Sequence, residues 1–207
     1  MQRALKRPLD IVLSAAALIV LSPLLLLLAG LVWREFGRPV LFRQRRIGRG
    51  GEPFDVVKFR TMTQARDEAG DLKPDAERLT RFGLWMRALS LDELPEFVNV
   101  LRGEMSLIGP RPLLPEYLPY YSAEESRRHD VRPGISGWAQ VNGRNNLGWD
   151  ERLKMDLWYI EHWSLRLDLR IALRTVLVVL RRSDVQTDGH ATFLRLDDHR
   201  REAAKKA

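Results

Sequence analysis

The amino-acid sequence predicts a mainly helical α+β protein with one small β-hairpin and a long, interrupted apolar helix near its N-terminus. Three observations support this fold class. Residues 11–33 contain no Asp, Glu, Lys or Arg. Two short runs of β-forming residues flank a glycine-rich turn at 48–51. Apolar residues recur at helical spacing in the segment 77–89, namely Leu79, Phe82, Trp85, Met86 and Leu89.

The composition of the 207-residue chain narrows the classes of function. Its 34 Lys and Arg residues exceed its 27 Asp and Glu residues, which gives a net charge of +7. This surplus favours anionic partners such as phosphates, nucleotides, acidic lipids or nucleic acid, although a solvated basic surface explains it equally well. The absence of cysteine excludes disulfides, thiolate metal sites and thiol nucleophiles. The four histidines lack the spacing of metal ligands.

The apolar segment at 11–33 is long enough to cross a membrane. Its 23 residues would span roughly 35 Å as a straight helix, against the ~30 Å of a bilayer core. Ser22-Pro23 interrupts the segment near its middle, because proline removes a helix hydrogen bond and bends the helix. The serine hydroxyl is expected to satisfy one of the backbone groups that this break frees.

Basic residues flank both ends of this segment, with Lys6 and Arg7 before it and several arginines after it. Positively charged flanks favour the cytoplasmic side of a membrane. A helix that breaks in the middle and leaves by the face it entered satisfies both flanks, so residues 1–37 are predicted to form a re-entrant membrane helix. A kinked single-pass anchor is the alternative. Asp10 lies at the membrane edge close to Lys6 and Arg7, and helical spacing allows it to pair with them.

Residues 38–190 are predicted to form the main domain, followed by a polar tail at 191–207. The runs 40–46 and 53–60 predict the β-hairpin, and no Gly-Lys-Ser/Thr follows its glycines, which excludes a P-loop. A basic amphipathic helix with Trp and Phe, such as 77–89, is typical of a membrane interface, and a core-facing helix fits equally well. Loops are predicted at 109–115 and 132–149, and further helices at 90–101, 116–130, 150–163 and 168–181.

The candidate chemistry starts at two adjacent carboxylates, Asp92 and Glu93. Their local sequence also fits an ordinary helix start, because Ser90 and Glu93 have the spacing of a capping box. Asp92 would then only favour the positive end of the helix dipole. The choice between these readings depends on the residues that surround the pair.

Several cations near the two carboxylates favour a functional reading. Arg111 is held between Pro110 and Pro112, and a stiff loop that presents a guanidinium suits bidentate phosphate binding. Carboxylates among cations suit Mg²⁺-dependent phosphate chemistry, and a carboxylate can also attack phosphorus to form an aspartyl phosphate. The other candidate phosphate-binding cations are Lys58, Arg60 and Arg87.

A series of motifs follows one order along the chain: Lys-Arg-Pro-Leu-Asp at 6–10, the Ser-Pro break, Ser-Leu-Asp-Glu-Leu-Pro at 90–95, Asn-Val-Leu-Arg-Gly-Glu-Met-Ser at 99–106, Gly-Pro-Arg-Pro at 109–112, Arg-Pro-Gly at 132–134 and Asn-Gly-Arg-Asn at 142–145. In these motifs and their order, the chain resembles the bacterial sugar transferase family, the monotopic phosphoglycosyl transferases. The motifs cover nearly the whole chain. The chain resembles the small catalytic-core form, and Gly-His-Ala-Thr at 189–192 is similar to the branch of bacillosamine phosphotransferases of protein glycosylation.

The resemblance implies a two-step transfer. Asp92 would attack the β-phosphate of a UDP-sugar and release UMP, and membrane polyprenol (undecaprenyl) phosphate would then take the phosphosugar from the enzyme. Glu93 would hold Mg²⁺, and Arg144 joins the four candidate phosphate-binding cations. The resemblance further implies a monotopic enzyme of the bacterial cytoplasmic membrane with its catalytic domain on the cytoplasmic face. The bilayer is an expected partner, nucleic acid is not, and a homodimer is left open.

Two competing hypotheses remain at this point. A membrane-tethered, non-enzymatic basic protein that binds acidic lipid or nucleic acid would account for the charge, but not for Asp-Glu-Leu-Pro or Pro-Arg-Pro. A sequential transferase would bind both substrates together and use Asp92 as a base. The sugar is expected to be an N-acetylated or diacetylated amino sugar, with a neutral hexose as the alternative. The expected roles are exopolysaccharide synthesis or protein glycosylation.

Overall fold

The computed structural model describes residues 2–143, 147–181 and 195–206. Two long helices come first, α1 (Gln2–Val20) and α2 (Ser22–Phe36). They meet at an angle of 64°. The break lies where the sequence predicts it, with Pro23 in the first turn of α2. The hydroxyl of Ser22 donates to the carbonyl of Ile19 at 2.8 Å, which satisfies an acceptor at the end of α1.

The two helices differ from a straight transmembrane span. In the part of the chain that the structure describes, no single helix has the length and apolar character to cross a membrane. Taken together, the bent pair Ala4–Val20 and Ser22–Phe36 has the required length and apolar character. Many large apolar side chains of this pair are exposed, namely Leu5, Leu9, Ile11, Val12, Leu13, Ile19, Val20, Leu26, Leu27, Leu31 and Trp33.

The predicted β-hairpin is confirmed. Strands β1 (Leu41–Ile47) and β2 (Pro53–Phe59) pair antiparallel, with Phe42 opposite Lys58 and Arg46 opposite Phe54. A second small sheet was not predicted. Its strands β3 (Ser106–Ile108) and β4 (Gly134–Ser136) pair in parallel, so part of the predicted 132–149 loop is extended structure.

The remaining helices are mostly shorter than the sequence predicts. The predicted helix at 77–89 is divided at Leu79 and Thr80, and the one at 90–101 is a 3₁₀ turn (Leu91–Glu93) followed by a short helix. The segment 116–130 is similarly divided into short helical turns. In chain order the helices are α3 (Asp75–Arg78), α4 (Arg81–Ala88), α5 (Glu96–Arg102), α6 (Ala123–Ser126), α7 (Trp138–Val141), α8 (Trp149–Glu161), α9 (Leu165–Arg181) and α10 (Leu196–Lys206).

Three charged residues of α1 attach this helix to the rest of the molecule. Lys6 Nζ contacts Asp168 Oδ2 of α9 at 2.6 Å, and Arg7 donates to two backbone carbonyls at the end of α5. Asp10 is buried and accepts hydrogen bonds from Ser106 Oγ at 2.8 Å and from the next backbone N–H. The pairing of Asp10 with Lys6 and Arg7 that helical spacing allows is therefore not formed, because each side chain finds its partner in the domain against which α1 packs.

The apolar core is divided into small clusters that fix the helices around the hairpin. Leu28 and Val32 of α2 are buried with Phe59 and Met86, so the second apolar helix packs directly on β2 and α4. In another cluster, Leu196 of α10 is buried against Trp149 and Leu153 of α8. Both contacts stabilise the domain by removing apolar surface from water.

Candidate active site

Asp92 and Glu93 lie on the 3₁₀ turn between α4 and α5. The residue before this turn, Ser90, has φ = 53°, a left-handed conformation that non-glycine residues rarely adopt. Ser90 does not cap the turn through its side chain, so the alternative interpretation as a capping box is wrong. An N-cap needs a β-region backbone, which this residue lacks. Such strained residues concentrate at functional sites.

The carboxylate of Glu93 is bound by two cations instead of a backbone N–H. Its Oε1 accepts from Lys58 Nζ at 2.7 Å and from Arg111 Nη2 at 2.8 Å. Burial opposes ionisation of Glu93, but Arg111 and Lys58 outweigh this effect and hold its pKa well below the ordinary value. Glu93 is therefore a fixed anion that draws β2 and the Arg111 loop together.

Lys58 also contacts a third carboxylate, which the sequence analysis missed. Lys58 Nζ lies 3.0 Å from Glu96 Oε1, and Glu96 is only 2% exposed. Burial, with the charge of Glu93 added to it, raises the pKa of Glu96 to about 7, although Lys58 opposes the rise. Its position three residues after Glu93 was the available signal, because such residues share a helix face.

Asp92 borders a cavity of about 1180 Å³ and keeps 8% of its surface exposed. Burial raises its pKa and the adjacent Glu93 raises it further, whereas Lys58, Arg87 and Arg111 lower it. Asp92 thus lies at the cavity wall within reach of the charges of three cations. This cavity is lined by Lys58, Arg60, Arg87, Asp92, Glu93 and Arg111, which brings together all the described residues predicted to act on substrate.

The predicted cations differ in what they contact. Arg87 Nε donates to the hydroxyl of Thr61 at 3.0 Å. Arg60 is buried, with its guanidinium 5.4 Å from the ring centre of Phe36, so it joins the cavity wall to the end of α2. Arg144 and the Gly-His-Ala-Thr motif at 189–192 lie outside the described residues.

The loop that carries Arg111 is held by close backbone packing. Gly109 N donates to Ser136 O and Gly134 N donates to Pro110 O, both at 2.9 Å. A Cβ on Gly109 would lie 2.4 Å from the backbone oxygen of Arg132, so only glycine fits there. With Pro110 and Pro112 on either side, this packing fixes the position from which Arg111 reaches Glu93.

A buried ion pair also holds the Arg111 loop in position. Arg128 Nη2 donates to the carbonyl of Arg111 at 2.8 Å and to Asp156 Oδ2 at 2.7 Å. Arg128 and Asp156 are both nearly inaccessible to solvent. Sequence reasoning missed this pair, because its members lie on a 3₁₀ turn and on α8 and meet only through the tertiary fold.

A family model described as bacterial sugar transferase matches residues 1–182. The chain belongs to this family. It is therefore a transferase.

Named relatives of this sugar transferase include an uncharacterised sugar transferase, EpsL, of Bacillus subtilis (strain 168). It is 47% identical over 188 residues, which cover 91% of this chain and 93% of that protein. UDP-glucose:undecaprenyl-phosphate glucose-1-phosphate transferase of Caulobacter vibrioides is 45% identical over 183 residues, covering 83% of this chain and 68% of that protein. Undecaprenyl-phosphate galactose phosphotransferase of Salmonella typhimurium is 40% identical over 197 residues, covering 87% of this chain but only 41% of that protein.

The donor atoms at the site of this sugar transferase fit magnesium held together with substrate phosphates. Within residues 2–143, 147–181 and 195–206, no group of three or more His, Asp or Glu side chains is arranged to hold a metal by itself. Asp92 and Glu93 nevertheless offer neighbouring carboxylates at the cavity, and Oε2 of Glu93 takes part in neither contact with the two cations. Magnesium is commonly bound by one or two carboxylates plus phosphate oxygens.

Proposed function

We propose that this transferase moves a sugar 1-phosphate from a UDP-sugar to membrane polyprenol phosphate, releasing UMP. The observation that carries the proposal is the position of Asp92, which borders the cavity beside a carboxylate clamped by Lys58 and Arg111. The names of the Caulobacter and Salmonella relatives support an undecaprenyl phosphate acceptor. A non-enzymatic basic protein would have no need for a carboxylate between three cations in a cavity of this size.

In the first step, an Oδ atom of Asp92 attacks the β-phosphorus of the donor. The bond between this phosphorus and the bridging oxygen breaks, and its electron pair leaves with UMP. In the second step, a phosphate oxygen of the polyprenol phosphate attacks the same phosphorus, and the bond to Asp92 breaks to restore the carboxylate. The product is a polyprenyl diphosphate sugar.

The surrounding residues would stabilise charge during both steps. Lys58, Arg87 and Arg111 lower the pKa of Asp92 against burial and the charge of Glu93, so they favour the ionised nucleophile. The same cations can bind the oxygens of the transferred phosphoryl group. Magnesium, when bound by Glu93 with or without Asp92, would neutralise phosphate charge.

The bent apolar helix pair supports a location at the bacterial cytoplasmic membrane. Its exposed leucines, valines and tryptophan need an apolar environment, and a re-entrant insertion would leave the attached domain on one face. A soluble nucleotide sugar and a lipid phosphate could then use one cavity in turn. This is the first membrane step in building a glycoconjugate, either an exopolysaccharide or a glycan for protein glycosylation.

The proposal is tested by the substitution Asp92→Asn in the full chain. Purified enzyme in lipid nanodiscs is incubated with polyprenol phosphate and a panel of UDP-sugars that includes neutral hexoses and N-acetylated amino sugars. We expect UMP release by the parent enzyme with at least one donor, loss of release on Mg²⁺ chelation, and a fall of about 1,000-fold or more in Asp92→Asn. The exposed Asp71→Asn is the matched control and should retain activity.

A covalent intermediate separates the two-step route from its sequential rival. Enzyme incubated with the UDP-sugar alone should gain the mass of a phosphosugar, and peptide mapping should locate it on Asp92. Full activity of Asp92→Asn would refute the nucleophile. An active parent enzyme that never acquires the adduct under rapid quench would instead favour the sequential mechanism.

A further inference from the structure

The cavity contains a second group of cations that the steps above do not use. Residues of β1 alternate in direction, so Phe42, Gln44 and Arg46 line the cavity, whereas Arg45 points outward and is paired with Asp55. From the other side, Arg152 of α8 lines the same cavity. The two guanidiniums come from separate elements and share one concave space with the carboxylates.

Within the part of the chain that the structure describes, Arg46 donates only to neutral oxygens. Its Nη2 donates to Gln44 Oε1 at 2.6 Å and its Nη1 to the carbonyl of Pro112 at 3.5 Å. Among the described residues no carboxylate forms an ion pair with it, in contrast to Arg111 and Lys58. Burial, together with the charge of Arg111, lowers the pKa of Arg46 to about 10.

Arg152 lies near the same neighbour. Its guanidinium is 5.0 Å from the ring centre of Trp149, which orients it by a cation–π contact. Burial lowers its pKa, and Arg111 is again the charge that lowers it most. Arg46 donates to the carbonyl of the residue after Arg111. Arg152 lies one helical turn before Asp156, whose partner Arg128 holds the Arg111 carbonyl, so the three guanidiniums are close enough to repel one another. A bound anion would relieve that repulsion.

Arg46 and the contact with the pair Asp92–Glu93 lie at different positions along the hairpin. Lys58, which contacts Glu93, lies opposite Phe42. Arg46 is four residues further along the same strand, or about 13 Å at ~3.3 Å per residue. The side chains of Lys58 and Arg46 thus enter the cavity at two separate points of the hairpin. The Arg111 loop reaches both points, because Arg111 contacts Glu93 beside Lys58 and the carbonyl of Pro112 accepts from Arg46.

We infer that Arg46 and Arg152 form the subsite for the phosphate of the departing nucleotide, which is the α-phosphate of the donor. The inference rests on the proposed function. An attacking group and a leaving group lie on opposite sides of the phosphorus. With Asp92 attacking and Arg111 beside the transferred group, the departing phosphate points away from Asp92. Its new negative charge is stabilised by guanidiniums that are already in position.

The test measures UMP binding directly, without turnover. The full chain in nanodiscs is titrated with UMP by calorimetry, and KM values for the UDP-sugar and for polyprenol phosphate are measured on the same samples. In Arg46→Gln we expect the Kd for UMP and the KM for the donor to rise together by about 10-fold or more, because one charge-assisted bond is lost. The KM for polyprenol phosphate should stay within about twofold of the parent.

Two variants serve as controls. Arg43→Gln removes the same charge from the exposed side of β1 and should leave the Kd for UMP unchanged. Arg46→Lys keeps the charge without the planar fork and should recover part of the affinity. Should Arg46→Gln fail to fold in a thermal unfolding assay, Arg152→Gln carries the same expectation and is scored in its place.

The outcomes distinguish the subsite from the reaction. An unchanged Kd for UMP beside an active parent enzyme would overturn the subsite alone. A rise confined to the KM for polyprenol phosphate would also overturn it, since these cations would then serve the acceptor. A parent enzyme that releases no UMP from any donor would refute the proposed function itself.

Discussion

The protonation state of Glu96, which lies beside the site, affects the stability of the fold. Glu96 is almost fully buried beside Lys58, and its pKa is raised to about 7 by burial and by the charge of Glu93. The folded state therefore binds a proton at Glu96 more tightly than the unfolded chain does. This contribution to stability is complete below pH ~4.5 and is lost as the pH rises through about 7.

We predict that Glu96→Gln removes this pH dependence. The rise in pKa from 4.5 to about 7 corresponds to roughly 3 kcal/mol, so the variant should gain stability relative to the parent by up to that amount between pH 4.5 and 8. Chemical denaturation at several pH values measures the free energy of unfolding. The exposed Glu68→Gln is the control and should follow the parent. A constant difference between Glu96→Gln and the parent would contradict the prediction.

At the residue scale, the sequence pointed to residues that the structure brings to one cavity, but it missed the residues that support them. Asp92, Glu93, Lys58 and Arg111 belong to recognisable motifs, and the structure brings them to one cavity. Residues such as Glu96, Arg46 and the pair Arg128–Asp156 carry no local signal of comparable strength. Their roles arise from burial and from neighbours distant in sequence, which hydrophobic periodicity cannot reveal.

At the scale of elements, prediction succeeded where one local feature dominates. Helices α8 and α9 have long apolar faces, and the hairpin has a glycine turn, so their positions agree with the sequence. The predicted helices at 77–89 and 90–101 are divided because tertiary contacts override helix propensity. Thr80 caps a new helix start by accepting from Gly83 N, and Glu93 turns toward Lys58 and Arg111 instead of its own backbone.

The bent pair of α1 and α2 carries a prediction about topology. If the pair enters and leaves a membrane by one face, its two ends share a side. Single cysteines at Gln2 and Glu35, introduced into this cysteine-free chain, should both react with an impermeant maleimide from the cytoplasmic side of inverted vesicles. Labelling from opposite sides would instead establish a kinked single span.

The variant Pro23→Ala tests the cause of the bend in the same assay. Without proline, the hydrogen-bonding pattern could continue from α1 into α2. A straightened helix would move one cysteine to the far side, so the labelling of Glu35→Cys should fall. Leu21→Ala changes a neighbouring residue without affecting the backbone donors, and it is the matched control. Equal labelling in both variants would mean that tertiary packing of α2 on β2 holds the bend.

At the scale of the whole molecule, Asp168 connects the apolar helix pair to the rest of the chain. Its Oδ2 accepts from Lys6 Nζ at 2.6 Å and from Trp163 Nε1 at 3.1 Å, and its Oδ1 accepts from the Tyr159 hydroxyl at 2.7 Å. Helices α1, α8 and α9 therefore meet at one carboxylate. The Tyr159 hydroxyl also contacts the carbonyl of Ile108 in β3, next to the Arg111 loop.

This arrangement predicts that substituting Asp168 destabilises the fold more than substituting its ion-pair partner Lys6. Lys6→Met removes one donor but leaves Asp168 held by Tyr159 and Trp163, so it should cost about 1 kcal/mol of unfolding free energy. Asp168→Asn exchanges the shared acceptor for an amide whose N–H₂ opposes at least one donor, so it should cost about 3 kcal/mol. Thermal and denaturant unfolding in nanodiscs measure both variants. Equal losses of unfolding free energy would mean that the carboxylate acts only as a partner of Lys6. A larger loss in Asp168→Asn would show that this carboxylate also holds α1, α8 and α9 together.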